Sequence, residues 1–308
     1  MTLYELIETP QLEDPVLVLA VEGWIDAGLA AAGVARLLEE RLDTLTVARF
    51  STDELLDYRA RRPIAHLVDG VLRGLSWPSI ELRAAVDDAG NELLVLTGAE
   101  PDRLWHRFTD EVVDLALDHG VRMCVGLGAY PYAAPHTRPP RIACTASTPR
   151  LAEAAALLRG KLDFPGGIQA AIEQACHDRG IPSVGLWAQI PHYLPAQMPF
   201  PAGSLALVEA VNQVAGLSLP TGDLAAQAEA TRSRLDELIA QNPDHVAMLR
   251  QLEVAWDQAV VDERTIGLTD LPTGDELAAE LEDFLRRQMP SLTDILPASA
   301  ADWIGDSG

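Results

Sequence analysis

The sequence predicts an α/β fold on a mixed, mostly parallel sheet, and three observations carry that expectation. An apolar run, 16–21, leads into the glycine-bounded turn Gly23-Trp24-Ile25-Asp26-Ala27-Gly28, and then into a segment with Val34, Leu37, Leu38 and Leu42 at helical spacing. Strand-like and helix-like segments alternate to about residue 219, the pattern of parallel strands covered by helices on both faces. Asp87-Asp88-Ala89-Gly90-Asn91 lies between two apolar runs and reads as a hairpin turn, which makes the sheet mixed.

Taken in order, strands are expected at 16–21, 44–50, 79–86, 92–97, 121–128, 141–147 and 183–190. Helices are expected at 102–118, closed by His119-Gly120, and at 149–158, 167–178 and 203–215. Gly126 and Gly128 end the 121–128 run and read as turn formers. From Thr221 no strand-like segment remains. One helix covers 224–241. Asn242-Pro243 opens another, with Asn as cap and Pro at the first helical position, and Thr273 with Glu276 forms a capping box for a third. The domain expectation is an α/β unit over 1–219, a helical subdomain over 220–290 and a loosely held tail over 291–308. Val246, Leu249, Leu252, Trp256 and Val260 stripe the second of these helices. That stripe packs onto the sheet unit or offers a partner surface.

Composition narrows the function classes. A hydrophobic share of 48% excludes wholesale disorder. No apolar run is long enough to cross a bilayer, and the first residues lack the basic start and apolar stretch of a signal peptide, so a cytoplasmic protein is expected. A formal charge of -23 repels nucleic-acid phosphates and anionic lipid surfaces, so neither nucleic acid nor membrane is an expected partner. Cys124, Cys144 and Cys176 show no paired spacing and read as small buried hydrophobes. Lys161 is the only lysine, so any Schiff-base or phosphate-gripping lysine would have to be that residue. No Walker A loop, GxSxG, HExxH or GxGxxG occurs, and neither a metal nor a cofactor is expected.

The chemistry-bearing residues gather at predicted strand ends. Asp26 follows the first strand, and Glu100 and Asp102 follow the hairpin. Tyr130-Pro131-Tyr132 and Pro135-His136-Thr137-Arg138-Pro139 follow the strand that ends at Gly128, and His192-Tyr193 follow the strand that ends at Ile190. Parallel neighbours would bring these turns to one crevice. His136, His192, Asp26 and Glu100 are the candidate proton-transfer groups there. Trp24, Arg138, Tyr193, Arg61 and Arg62 are the candidate ligand-binding groups, because a guanidinium fork suits a small anionic ligand. Most of them have a plainer alternative, which the sequence leaves open. Asp26 caps the next helix, Glu100 and Asp102 cap a helix near Arg103, and the histidine rings only fix their turns. Trp24 packs, and the basic run 57–63 is a salt-bridged surface loop.

The ordered set Gly23–Gly28, Asp57–Pro63, Gly98–Asp102, Pro135–Pro139 and Pro191–Tyr193 resembles the proteasome assembly chaperone 2 family in its actinobacterial branch, over about residues 10–262. The resemblance implies a three-layer α/β/α sandwich with a phosphorylase/hydrolase-like core. Its eukaryotic members are heterodimeric chaperones of proteasome α-ring assembly, and its prokaryotic members mostly have no assigned function. Some carry an ATP-grasp ligase label, against which the single lysine and the missing phosphate loop count here. The family supplies no catalytic residues to carry over. It implies a protein partner or self-association into a homo-oligomer. The chain ends in Trp303-Ile304-Gly305-Asp306-Ser307-Gly308, without the hydrophobic-Tyr-X motif that eukaryotic members use to dock. The primary expectation is a protein-interaction or assembly factor. The alternative is a small-molecule hydrolase or phosphorylase acting on an anionic or nucleoside-like substrate.

Overall fold

A computed structural model describes residues 2–23, 25–147, 165–195 and 197–265. Contacts divide the chain into one compact unit, residues 1–158 with 166–262, and a second, residues 159–165 with 263–308; the elements below build the first. The helix expected at 149–158, Lys161, the capping box at Thr273 and the tail at 291–308 lie outside the described residues, as does Trp24.

Eight strands form the main sheet: β1 (Tyr4–Leu6), β2 (Val16–Glu22), β3 (Leu45–Phe50), β6 (Ile80–Val86), β7 (Glu92–Ala99), β8 (Met123–Tyr132), β9 (Ile142–Ala146) and β10 (Ser183–Pro191). Their spatial order is β1-β3-β6-β7-β2-β8-β10-β9. The four strands β7, β2, β8 and β10 run parallel to one another, and the flanking pairs are antiparallel. The 87–91 turn joins β6 to β7 as expected, with Asp87 Oδ1 accepting from the amides of Ala89 and Asn91 at 2.9 and 2.8 Å. Two strands, β4 (Ile64–Val68) and β5 (Val71–Ser76), form a separate hairpin that the sequence reading passed over. The short β1 was passed over as well.

The helices are α1 (Ala30–Arg41), α2 (Thr52–Leu55), α3 (Trp105–Asp118), α4 (Ile168–Asp178), α5 (Pro201–Ala215), α6 (Leu224–Ala240) and α7 (Pro243–Thr265). Alternate residues of β2 explain the layering. Val16, Val18 and Ala20 face one core with α1 and α5, and Leu17, Leu19 and Val21 face the other with α3 and α4. The result is a three-layer α/β/α sandwich. Gly28 holds φ at 63° in the turn before α1, and a Cβ there would stand 2.8 Å from Phe200 Cβ, so both conformation and space require glycine. Leu224 and Leu235 of α6 join the α1–α5 core, which places α6 in the same compact unit as the sheet. Most of α7 belongs there too. Cys124, Cys144 and Cys176 are buried free thiols.

Two expectations change. The 102–118 helix begins at Trp105, because Leu104 holds left-handed backbone with φ at 60° and the Asp102 amide is turned to Leu55 O at 2.9 Å. Gly126 and Gly128 lie inside β8, which continues to Tyr132. They make no turn; they make room above the sheet. A Cβ at Gly126 would collide with Glu173 Oε1 of α4, and one at Gly128 with the Trp187 ring. Gly126 is paired in register with Gly185 of β10, where a Cβ would lie 2.9 Å from the same carboxylate oxygen. The side-chain amide of Gln169 donates to Glu173 Oε1 at 2.8 Å.

Burial pushes the Glu173 carboxyl up to about 7, with the Gln169 contact opposing it. The folded value exceeds the ordinary 4.5, so the folded state holds its proton through a range where the unfolded state has lost it. The stabilisation is complete below 4.5 and disappears as pH rises to about 7, a swing of ~3 kcal/mol. Glu173→Gln, which has no charge to bury, should therefore flatten the stability profile between pH 4.5 and 7 and raise stability above it. Urea melts across this range check the expectation, and a variant profile as steep as the parent's would refute it.

Candidate functional site

Because β7, β2, β8 and β10 are parallel neighbours, the loops after all four leave from one rim of the sheet. The polar residues on that rim divide into two groups. The first is committed to helix starts and salt bridges. Asp26, whose backbone bridges to Ala129 of β8, accepts from the amides of Ala31 and Ala32 at 2.9 Å each. It occupies free donors in the first turn of α1. Burial raises its pKa, and the amides of Ala32, Ala31 and Ala30 pull in the opposite direction. Glu100 is buried and accepts from the Ile168 amide at 2.7 Å, so it serves the start of α4 and not a helix near Arg103. Asp102 accepts from the Asp57 amide at 2.6 Å. Arg61 lies 3.4 Å from Glu22 and 3.7 Å from Asp102, which ties the basic run to the rim, while Arg62 is exposed.

The second group is a connected cluster at the ends of β8 and β10. His136, 3% exposed, is held through both ring nitrogens. Its Nδ1 is 2.7 Å from the Tyr193 hydroxyl, and its Nε2 is 3.1 Å from Asp236 of α6. The same hydroxyl accepts from the His136 amide at 2.8 Å. Burial pushes the Tyr193 phenol up to about 12, so it keeps its proton and donates it to Nδ1. The neutral ring then carries its hydrogen on Nε2 and donates to Asp236. Burial lowers the His136 pKa against the pull of Asp236, which fits that neutral form. His192 packs edge-on against the other side of this arrangement, 5.6 Å from the Tyr193 ring, with Nδ1 3.2 Å from Tyr132 O.

Arg138 completes the cluster. Its Nε and Nη2 donate to the two oxygens of Asp257 at 2.9 and 2.8 Å, and its Nη1 donates to Glu253 at 3.3 Å. The Thr137 hydroxyl donates to the same Glu253 oxygen at 2.6 Å. Arg141 donates to Trp256 O at 3.0 Å and lies 4.2 Å over the Trp256 ring. The fork expected to take an external anion thus takes carboxylates of α7. The structure brings together His136, His192, Tyr193 and Arg138, and adds Asp236, Glu253, Trp256 and Asp257. Asp26, Glu100 and Arg61 work elsewhere on the rim. The sequence reading missed the three acidic partners, which lie 100 or more residues from their contacts. The Trp256 stripe was their one visible trace.

In chemical terms the cluster docks helices. It neutralises charge within the chain and closes the β8–β10 loops against α6 and α7. A hydrolase or phosphorylase step draws no support from this arrangement. Among the described residues no group of three or more His, Cys, Asp and Glu side chains is placed to hold a metal ion, and no helix is long and apolar enough to cross a membrane.

Comparison with known proteins gives a consistent picture. The PAC2 family model matches residues 20–239. A Mycobacterium tuberculosis protein of unknown function, Rv2714, is 35% identical, with a TM-score of 0.80 over 85% of this chain and 91% of its own. A Corynebacterium glutamicum protein of unknown function is 31% identical, with a TM-score of 0.79 over 84% of this chain and 98% of its own. A proteasome-assembly chaperone homologue of Mycobacterium tuberculosis, Rv2125, is 32% identical, with a TM-score of 0.70 over 76% of this chain and 99% of its own. The chain matches no curated protein.

If Arg138 fastens α7 to the rim, Arg138→Ala should speed amide exchange along α7 by about tenfold while β2 and β8 keep their protection. Hydrogen exchange read by mass spectrometry resolves the two regions. Equal acceleration in both, or none in α7, would contradict the assignment.

Proposed function

The chain belongs to the PAC2 family, and from that membership together with one exposed element we propose that it is a protein-interaction and assembly factor that works as a homo-oligomer. The element is the β4–β5 hairpin. Asp69 and Gly70 have φ of 51° and 77°, the backbone of a tight two-residue hairpin turn. The hairpin pairs only within itself, separate from the eight-stranded sheet. Ile64, Leu67, Val68, Val71, Leu72 and Leu75 are 45–65% exposed, and Trp77 at its base is 53% exposed. Trp77 stands edge-to-face on Tyr58 at 4.8 Å, and the Tyr58 hydroxyl bonds to Thr52 and Asp53 at 2.8 Å each, so the base of the arm is anchored.

An isolated two-stranded hairpin is marginal in water, and an exposed apolar patch of this kind marks an interaction surface. The apolar side chains lie on both faces of the ribbon, with the pair Leu67 and Leu72 on one and the pair Val68 and Val71 on the other. The hairpin carries one acid, Asp69, and one base, Arg73, in a chain of net charge -23. Two copies can meet there with little electrostatic repulsion, so a second copy is the occupant we assign. An assembly role extends to this chain what is described for the relative Rv2125, a proteasome-assembly chaperone homologue.

Leu67 and Leu72 are register partners. Leu67→Asp with Leu72→Asp should convert an oligomer into a monomer, with the circular dichroism spectrum unchanged and the melting temperature no longer rising with protein concentration. Light scattering after size exclusion, joined to affinity capture from native extract, tests both parts. A monodisperse wild-type monomer that captures no stoichiometric partner would end the proposal.

A further inference from the structure

Beyond the hairpin, a groove of about 380 Å³ runs beside β1, the edge strand of the main sheet. Tyr4, Leu6, Pro10, Leu12 and Leu117 give it apolar walls, and Asp118 and His119 lie at the end of α3. His119 is 8% exposed. Its Nδ1 lies 2.9 Å from Leu115 O, and a carbonyl only accepts, so Nδ1 holds the hydrogen. With the hydrogen on Nδ1, Nε2 is left to accept, and it is a buried atom without a hydrogen-bond partner among the described residues. A buried unmatched acceptor is destabilising until a donor reaches it.

The surroundings favour a cationic donor. Asp118 contributes a carboxylate, and the negative end of the α3 dipole falls at the groove. The Tyr4 phenol, on the groove wall, is raised by burial and then by the charges of Glu111, Asp118 and Asp114. Glu111 is paired with Arg107 and Asp114 with Arg179, whereas among the described residues no ion pair engages Asp118. Among the described residues no strand pairs with the outer side of β1. Leu3 O accepts from Ser51 and the Ile7 amide donates to Val47 O, so residues 3 and 7 bond inward to β3. By the alternation of an antiparallel ladder, the backbone groups of Tyr4 and Leu6 point outward. Tyr4 O takes the Thr2 hydroxyl at 2.9 Å, which leaves the Tyr4 amide and both Leu6 groups for an added strand.

We propose that this groove binds an extended peptide segment of a partner protein, which adds as a strand to β1 and sends a lysine or arginine side chain to His119 Nε2 and Asp118. The apolar neighbours of that side chain lie against Leu6, Leu12 and Leu117. Backbone pairing supplies the register, and the basic side chain supplies selectivity. The strongly acidic chain steers such a segment toward it.

The test uses the full chain and fluorescein-labelled peptides of alternating Thr and Val around a central arginine, with norleucine or glutamate replacing the arginine in two controls. Anisotropy should show saturable binding of the arginine peptide, at least about tenfold weaker binding of the norleucine peptide, and none of the glutamate peptide. Asp118→Asn, on the surface, and His119→Leu should each bring the arginine peptide down to the norleucine level. Leu6→Pro, which removes an outward amide, should weaken both. Leu67→Asp with Leu72→Asp should leave all of this unchanged, which separates the groove from the hairpin proposal. Absence of binding, equal binding of the arginine and norleucine peptides, or indifference to both Asp118→Asn and His119→Leu would overturn the proposal.

Discussion

The bidentate pairing of Arg138 with Asp257 is the contact on which the closed rim of the sheet depends. Four parallel strands end on one rim, and their loops leave charged and hydrogen-bonding groups over a dry core. Such groups need partners. The chain finds them internally. Helix starts take Asp26 and Glu100, Arg61 takes Glu22 and Asp102, and α6 and α7 take His136, Thr137 and Arg138. Exposed ion pairs count for little singly. This one gains from fork geometry, from the third contact to Glu253, and from the neighbouring stack of Arg141 on Trp256. They fasten α7, and the His136 contact with Asp236 fastens α6, onto a rim that an enzyme would keep open.

That closure changes where activity should be sought. The rim spends its polarity on its own helices, whereas the β4–β5 hairpin and the β1 groove leave surface and hydrogen-bonding capacity unused. Both lie away from the strand-end cluster in sequence. Both have the physical marks of recognition: exposed apolar area in the first, and an unmatched buried acceptor beside an open strand edge in the second. A protein-interaction role accommodates the three features together.

Much of this was legible in the sequence, for local reasons. A run that is apolar on both faces, followed by a glycine-bounded turn and a 3.6-residue pattern, describes β2 and α1 without long-range information, and the Asp87–Asn91 turn identifies its hairpin by residue type. The Asp69-Gly70 hairpin carries an equally clear local signal, an Asp-Gly pair between apolar runs, directly after the basic stretch 59–62. Gly126 was legible as a glycine but not as a space for Glu173, because that need arises only when α4 crosses β8. The pairings of His136 with Asp236 and of Arg138 with Asp257 were out of reach in principle. One sequence states which groups need partners, and only packing states which they find.

The central claim, that rim charge is there to hold α7, is tested most directly by charge exchange at one pair. Arg138→Asp and Asp257→Arg should each lower the melting temperature and loosen α7, and the double exchange should recover most of both losses, since the attraction is restored with its sign reversed. Losses that simply add in the double variant would show that Arg138 and Asp257 do not act as a pair, and the account of a rim closed by its own helices would fail.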